Sequence, residues 1–335
     1  MADTIHLTLS EATALLTVAF EAVGVPTATA ASVARALVGA EAEGQVGHGF
    51  SRLADYAAQV QSGKIDGKAD VVVEKLAPAV LHVDAGLGFA YPALDAALDR
   101  GVPLAREQGI ALMAIGNSHH CGALSQQVDR LAEAGLVGLM VANTPKAIAP
   151  WGGSEALFGT NPIAFATPVA GGDPLVVDLS LSVVARGKVM AAKKAGRPIP
   201  EGWALDASGN PTTDPEAALA GTMVPMGEAK GSALALMVEI LAAALTGSAF
   251  SSEAGSFFHA EGAAPRVGQT LIAIDPKGRA DFSVRVRTLL DDIANTPGAR
   301  LPGARRRAAL TAARTNGINV PTELVEHARH LAGSA

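Results

Sequence analysis

Between residues 71 and 274 the chain breaks into short β-branched or apolar runs separated by glycine, proline and asparagine. They cover 71–73, 80–83, 111–115, 137–141, 163–166, 175–177 and 271–274. Runs of this length and composition predict strands. Only three helical patterns sit among them, at 92–99, 125–134 and 230–245. Parallel neighbours need long crossovers, usually helical, and three helices are too few for a doubly wound sheet. An α/β fold with a mixed, mostly antiparallel sheet is the expectation. At the N-terminal end Leu15, Leu16, Ala19 and Val23 recur at helical spacing behind Ser10 as N-cap, and a second helical pattern covers 26–38. After Pro276 the chain is again polar and helical. The two ends are expected to form one discontinuous helical domain, 1–70 with 285–335, beside a sheet domain over 71–284; 335 residues suffice for two cores.

Composition narrows the partners. With 49% hydrophobic and 17% charged residues and a mean hydropathy of +0.28, the chain cannot be disordered, and membrane insertion has to be considered. Its most apolar stretch, 233–250, carries Glu239 and Thr246-Gly247 and lacks the run of ~20 apolar residues a bilayer requires. It reads as a buried helix with Leu234, Met237, Val238 and Leu241 as its core stripe. The N-terminus shows no export signal, and the single Cys121 suits a reducing compartment, so a cytoplasmic location is expected. A net charge of -6 and 4% aromatics leave little for phosphate neutralisation or base stacking, so nucleic acid is not an expected partner.

The nearest approach to a dinucleotide fingerprint, Gly86-Leu87-Gly88-Phe89-Ala90-Tyr91, lacks its third glycine, and a tight turn is the better reading. More informative is the run Gly44 to Arg52. If helical, it puts His48 and Arg52 on one face at i and i+4. A histidine with a pKa near neutrality can move a proton, and a planar guanidinium can grip a carboxylate in two places; spacing alone equally allows a surface histidine and a solvated arginine. Asn117-Ser118-His119-His120-Cys121-Gly122-Ala123-Leu124 follows a strand and opens a helix whose amides face an anion. No CxxC or HxxxH partner accompanies it, so no metal is expected. Phe158-Gly159-Thr160-Asn161-Pro162 reads as a turn, Asp178 and Asp275 as strand-end caps or ligands, Lys230 as a possible phosphate contact, and Arg305-Arg306-Arg307 as a small-anion site.

Ordered blocks along nearly the whole chain resemble the type 2 malate/L-lactate dehydrogenase family. They are His48-Gly49 with Arg52, Asn117 to His120, Ala149-Pro150-Trp151-Gly152-Gly153, Gly159 to Phe165, Ala185-Arg186-Gly187-Lys188, Ile199-Pro200-Glu201-Gly202-Trp203, Pro211 to Pro215 and Lys230-Gly231. The resemblance implies a homodimer with an active site near the subunit boundary and a nicotinamide-binding sheet unlike the common dinucleotide fold. It also implies hydride exchange with a small 2-oxo or 2-hydroxy acid. Carried over by motif, His48 is the proton donor, Arg52 the carboxylate clamp, and Thr160 lies against the substrate. His120, Cys121, Gly122, Ala123, Leu124, Asp178, Leu179, Ser180, Ala229, Lys230, Arg300 and Arg305 are implied to line NADPH or NADH, with the arginines favouring NADPH. His119-His120, Ala123-Leu124 and Arg300-Leu301-Pro302-Gly303 look most like the branch of Δ1-piperideine-2-carboxylate and Δ1-pyrroline-2-carboxylate reductases. That branch has serine where Gly47 stands and aspartate where Lys188 stands. Open-chain 2-oxo acids with a second anionic group, met by a Lys188 near His48, are therefore the expected substrates. A cyclic ketimine is the alternative, and a binding homologue without catalysis the second.

Overall fold

The computed structural model describes residues 3–333. The two ends of the chain meet: strand Thr4–Leu7 pairs antiparallel with Ile318–Pro321. Leu16 and Phe20 of helix Leu9–Ala22 and Leu37 of helix Thr27–Ala42 share an apolar cluster with Ile318, Val320 and Val325. The first helix is capped by Thr8 and not by Ser10. The Thr8 hydroxyl accepts the Glu11 amide at 3.2 Å, and the Glu11 carboxylate accepts the Thr8 amide at 2.8 Å. This reciprocal box satisfies two end amides that Ser10 would leave open.

All seven expected strands form one sheet, in the order Val72–Ala77, Val80–Asp84, Ile110–Ser118, Val267–Ile274, Val137–Ala142, Ile163–Thr167, Leu175–Leu179. Only Val80–Asp84 and Ile110–Ser118 are parallel, joined by helix Ala90–Gln108. Every other adjacent pair is antiparallel. Ala93, Leu94, Ala97 and Leu98 of that helix and Val128 and Leu131 of helix Ser125–Glu133 cover one face, closing on Met113, Ile115, Met140 and Leu271. A third cluster, including Ile148, Phe158, Leu181, Val189 and Val238, joins residues 147–158 and 181–223 to helix Ala229–Glu239. Gly86-Leu87-Gly88 is a tight turn with φ +60° and +63° at its first two residues, and a Cβ on Gly88 would lie 2.7 Å from that of Ala69.

The apolar helix departs from expectation. It is α-helical over Ala229–Glu239 and continues as a π turn, Ile240–Ala244. Its small face, Ala235, Val238, Ala242 and Ala243, is buried, whereas Leu234, Leu236, Met237, Ile240 and Leu245 are exposed, Ile240 by 53%. Of the expected stripe only Val238 is fully buried. The cause is close packing: the Ala242 carbonyl sits where a Cβ on Gly268 would stand, so the helix approaches the central strand on its small residues and turns its large ones outward. No helix among the described residues is long and apolar enough to cross a membrane.

Candidate active site

His48 and Arg52 do not share an α-helical face. They lie on successive 3-10 turns, Val46–His48 and Phe50–Arg52, hinged at Gly49. The Glu41 carboxylate fixes that hinge: it accepts the Phe50 amide at 3.0 Å and occupies the space a Gly49 Cβ would need. Arg52 folds back, its Nε donating to the Gly47 carbonyl at 2.8 Å. One Nη meets Asp55 at only 3.4 Å, and the Phe258 ring covers the guanidinium at 4.8 Å. Arg52 is 13% exposed, and its Nη2 makes no hydrogen bond among the described residues. A nearly dry guanidinium with Nη2 unengaged and its neighbour held only loosely by Asp55 is suited to an incoming carboxylate.

The His48 ring stacks on His120 at 5.2 Å, and its Nδ1 is buried without a partner. Burial, followed by the Arg52 cation, lowers the His48 pKa from 6.5 to about 4; desolvation and a neighbouring like charge both disfavour the imidazolium. Lys188 is not the charge that does this. It is exposed on helix Arg186–Lys194 and is absent among the groups acting on His48. Gly47 has open space where its Cβ would be, so no steric demand requires glycine there, and no side chain is present to satisfy the His48 ring.

Beneath this pair lies a polar layer that the motifs did not expose. The Tyr56 hydroxyl is 2.6 Å from His120 Nδ1 and 3.1 Å from the Tyr91 hydroxyl. His119 Nε2 donates to Gln59 at 2.7 Å, and Gln59 donates to the Phe257 carbonyl at 2.8 Å. Phe257 packs on both His119 and His120. Burial keeps both histidines neutral, His119 at about 3 and His120 well below the ordinary value. Tyr91 explains Gly122: at φ +67° a Cβ there would lie 2.8 Å from the tyrosine hydroxyl. Tyr56 and Gln59, one helical turn apart, were detectable as polar positions on the buried face of helix Leu53–Gln61. Phe257 and Phe258 left no local signal.

The residues assigned to cofactor binding fall in two groups. His120 through Leu124 are all buried, with Cys121 and Leu124 facing the core; burial pushes the Cys121 thiol up to about 12. The helix start once read as open to an anion is taken by Asp178, which accepts the Ser125 amide at 2.8 Å and thus caps the helix from another strand. Leu179 and Ser180 follow, and the Leu181 amide donates to the Thr160 carbonyl at 2.8 Å, placing Thr160 beside this strand end. The Leu181 carbonyl receives the Met226 amide at 2.8 Å, which brings the helix opening at Ala229-Lys230 to the same end. Gly303 abuts the Val176 carbonyl, setting helix Ala304–Asn316 against the edge strand.

The basic cluster there divides. Arg306 meets Glu43 at 2.7 Å and Arg307 meets both oxygens of Asp129 at 2.8 and 3.0 Å, all nearly buried. These two arginines serve internal carboxylates. Arg305, in the first turn, and Arg300 are exposed and form no ion pair among the described residues, so they remain available to a phosphate. No cluster of metal-ligating side chains occurs among the described residues.

The arrangement can be set beside known proteins. A family model described as malate/L-lactate dehydrogenase matches residues 7–328. The (2R)-3-sulfolactate dehydrogenase (NADP(+)) of Chromohalobacter salexigens is 53% identical over 329 residues, 98% of each chain. A Δ1-pyrroline-2-carboxylate/Δ1-piperideine-2-carboxylate reductase of Pseudomonas putida is 41% identical over 333 residues, 98% of this chain and 97% of that protein. The crystal structure of Δ1-piperideine-2-carboxylate reductase from Pseudomonas syringae superposes with a TM-score of 0.93 at 40% identity, covering 98% of this chain and all of that one.

Proposed function

Because this chain belongs to the malate/L-lactate dehydrogenase family and is an NAD(P)-dependent oxidoreductase, we propose that it interconverts a 2-hydroxy acid and a 2-oxo acid bearing a second anionic group, of which 3-sulfolactate and 3-sulfopyruvate are the leading pair. The observation that carries this reading is the nearly dry Arg52 guanidinium, its Nη2 unengaged, beside a histidine held neutral. When bound, the nicotinamide supplies or accepts the hydride at C2. Arg52 grips the carboxylate and orients C2. Neutral His48 takes the hydroxyl proton during oxidation, and its protonated form returns it during reduction. Burial and Arg52 make the imidazolium costly; a doubly anionic substrate offsets both, whereas a neutral side chain at C3 does not. Thr160, beside the end of strand Leu175–Leu179, is assigned to the substrate by the same reading.

Arg305, unpaired at a helix start, fits the 2′-phosphate of NADPH, and the sulfolactate relative is named for NADP. The same reading assigns Arg300, Lys230, Ala229, Asp178 to Ser180 and the 120–124 segment to the rest of the cofactor site. The exposed apolar side chains Leu236, Met237, Ile240 and Leu245 on one helix favour a homodimer that covers them; a buried free thiol suits the cytoplasm. Cyclic ketimine reduction is favoured by the Pseudomonas relatives, but here Gly47 offers His48 no hydroxyl. A panel of 3-sulfopyruvate, oxaloacetate, pyruvate and Δ1-piperideine-2-carboxylate with NADPH and NADH decides. The expected order places the dianionic oxo acids first with NADPH. A kcat/KM for the ketimine above that of every oxo acid would overturn it. His48→Ala is expected to cost a factor on the order of 10² in turnover while NADPH still binds.

A further inference from the structure

The loop that carries Phe257 and Phe258 has no helix or strand between residues 254 and 266. On one side it borders an open cleft of about 720 Å³, lined among others by Lys64, Leu87, Ala260 and Glu261. On that side hydrogen bonds, and not packing, hold it. Side chains at the end of helix Leu53–Gln61 and just after it supply them. Lys64 Nζ donates to the carbonyls of His259 at 2.8 Å and Glu261 at 2.9 Å. Ser62 donates to that of Ala260 at 2.8 Å, and Gln59 to that of Phe257 at 2.8 Å. Lys64 is only 5% exposed. No carboxylate forms an ion pair with it among the described residues; two of its three donors go to the loop carbonyls instead.

We propose that Lys64 is a positioning residue for substrate recognition: it straps the 257–261 loop so that Phe258 covers one face of the Arg52 guanidinium and leaves its edge to the substrate carboxylate. The inference rests on the reading of Arg52 as the carboxylate clamp. An aromatic face over a guanidinium removes water from it and favours the cation, so loss of that cover weakens the grip on the ground-state carboxylate more than it affects the proton or hydride step.

Lys64→Met keeps the stem and removes the donors. The expected result is a KM for the 2-oxo acid raised about tenfold, with kcat within about threefold and NADPH affinity unchanged. Chymotryptic cleavage after Phe258 in the unliganded enzyme should accelerate. Phe258→Leu should raise KM similarly, and the double variant should be no worse than Phe258→Leu alone, because one residue acts through the other. Lys64→Arg, which can still reach both carbonyls, should recover most of the KM. Ser62→Ala, at an exposed turn, is expected to show the same pattern more weakly and carries the test if Lys64→Met does not fold. Faster cleavage with an unchanged KM, or full additivity with Phe258→Leu, overturns the proposal. An unchanged KM in Arg52→Lys instead overturns the underlying reading of the clamp, whatever the loop does.

Discussion

The depressed basicity of His48 can be read from which direction of the reaction carries the pH dependence. Oxidation of a hydroxy acid releases one proton, so the ratio of oxidative to reductive kcat/KM must rise about tenfold per pH unit whatever the enzyme does. The histidine only decides which rate supplies that slope. With a pKa of about 4, His48 is about 3% protonated at pH 5.5, whereas an ordinary imidazole would be about 90% protonated. Oxidation of 3-sulfolactate should therefore be flat in kcat/KM from pH 5.5 to 7.5, and reduction of 3-sulfopyruvate should fall about a hundredfold across the same two units. An unperturbed histidine would bend both profiles near pH 6.5, with oxidation losing about tenfold by pH 5.5. Stopped-flow absorbance of NADPH at low substrate measures both limbs. Arg52→Gln, which removes the charge second to burial in lowering the pKa, should move the bend upward without reaching 6.5. A bend between 6 and 7 in the oxidative profile of the unaltered enzyme would refute the assignment of a buried, neutral His48.

The remaining expectations are separate from that one. Arg305→Gln should cut the preference for NADPH over NADH by about tenfold while leaving Tm alone, whereas Arg307→Ala should cost about 2 kcal/mol of stability by leaving the buried Asp129 only the longer Arg306 contact at 3.7 Å, read from urea midpoints. If the proposed homodimer covers the exposed apolar face, Ile240→Glu should yield monomers by analytical ultracentrifugation; an unchanged mass would remove this face as a subunit contact. Because folded His119 and His120 titrate far below their unfolded value, the unfolded chain binds more protons, and stability is lost as pH falls below about 6.5. By pH 5.5 each costs about 1 kcal/mol, and His119→Gln should remove one such share from the difference between pH 7.5 and 5.5. Gly47→Ser, entering open space, should shift kcat/KM toward Δ1-piperideine-2-carboxylate relative to 3-sulfopyruvate; no change in that ratio would remove Gly47 as a selector.

Much of the fold was legible locally. The seven runs between 71 and 274 became the seven strands of the sheet because a strand advertises itself through a handful of adjacent residues, and too few crossover helices exclude a parallel sheet whatever the strand order. The turn at Gly86-Leu87-Gly88 likewise follows from which residues tolerate positive φ. Sequence also brought His48 and Arg52 into view, as residue types suited to a proton and a carboxylate. What it could not supply was the loop geometry that unites them, since the hinge at Gly49 depends on Glu41 from a preceding helix. The lowered basicity of His48 depends on burial by segments far along the chain. Phe257 and Phe258 reach the site across some two hundred residues, through Gln59 and Lys64. The arginine triplet is uniform in sequence, yet two members are consumed by Glu43 and Asp129 and the third makes no ion pair among the described residues. Likewise the apolar helix shows large and small residues alike; only the close approach of Gly268 to Ala242 decides that the small ones face inward. Periodicity is a property of neighbours in the chain, whereas charge pairing, desolvation and the choice of buried face are settled by neighbours in space.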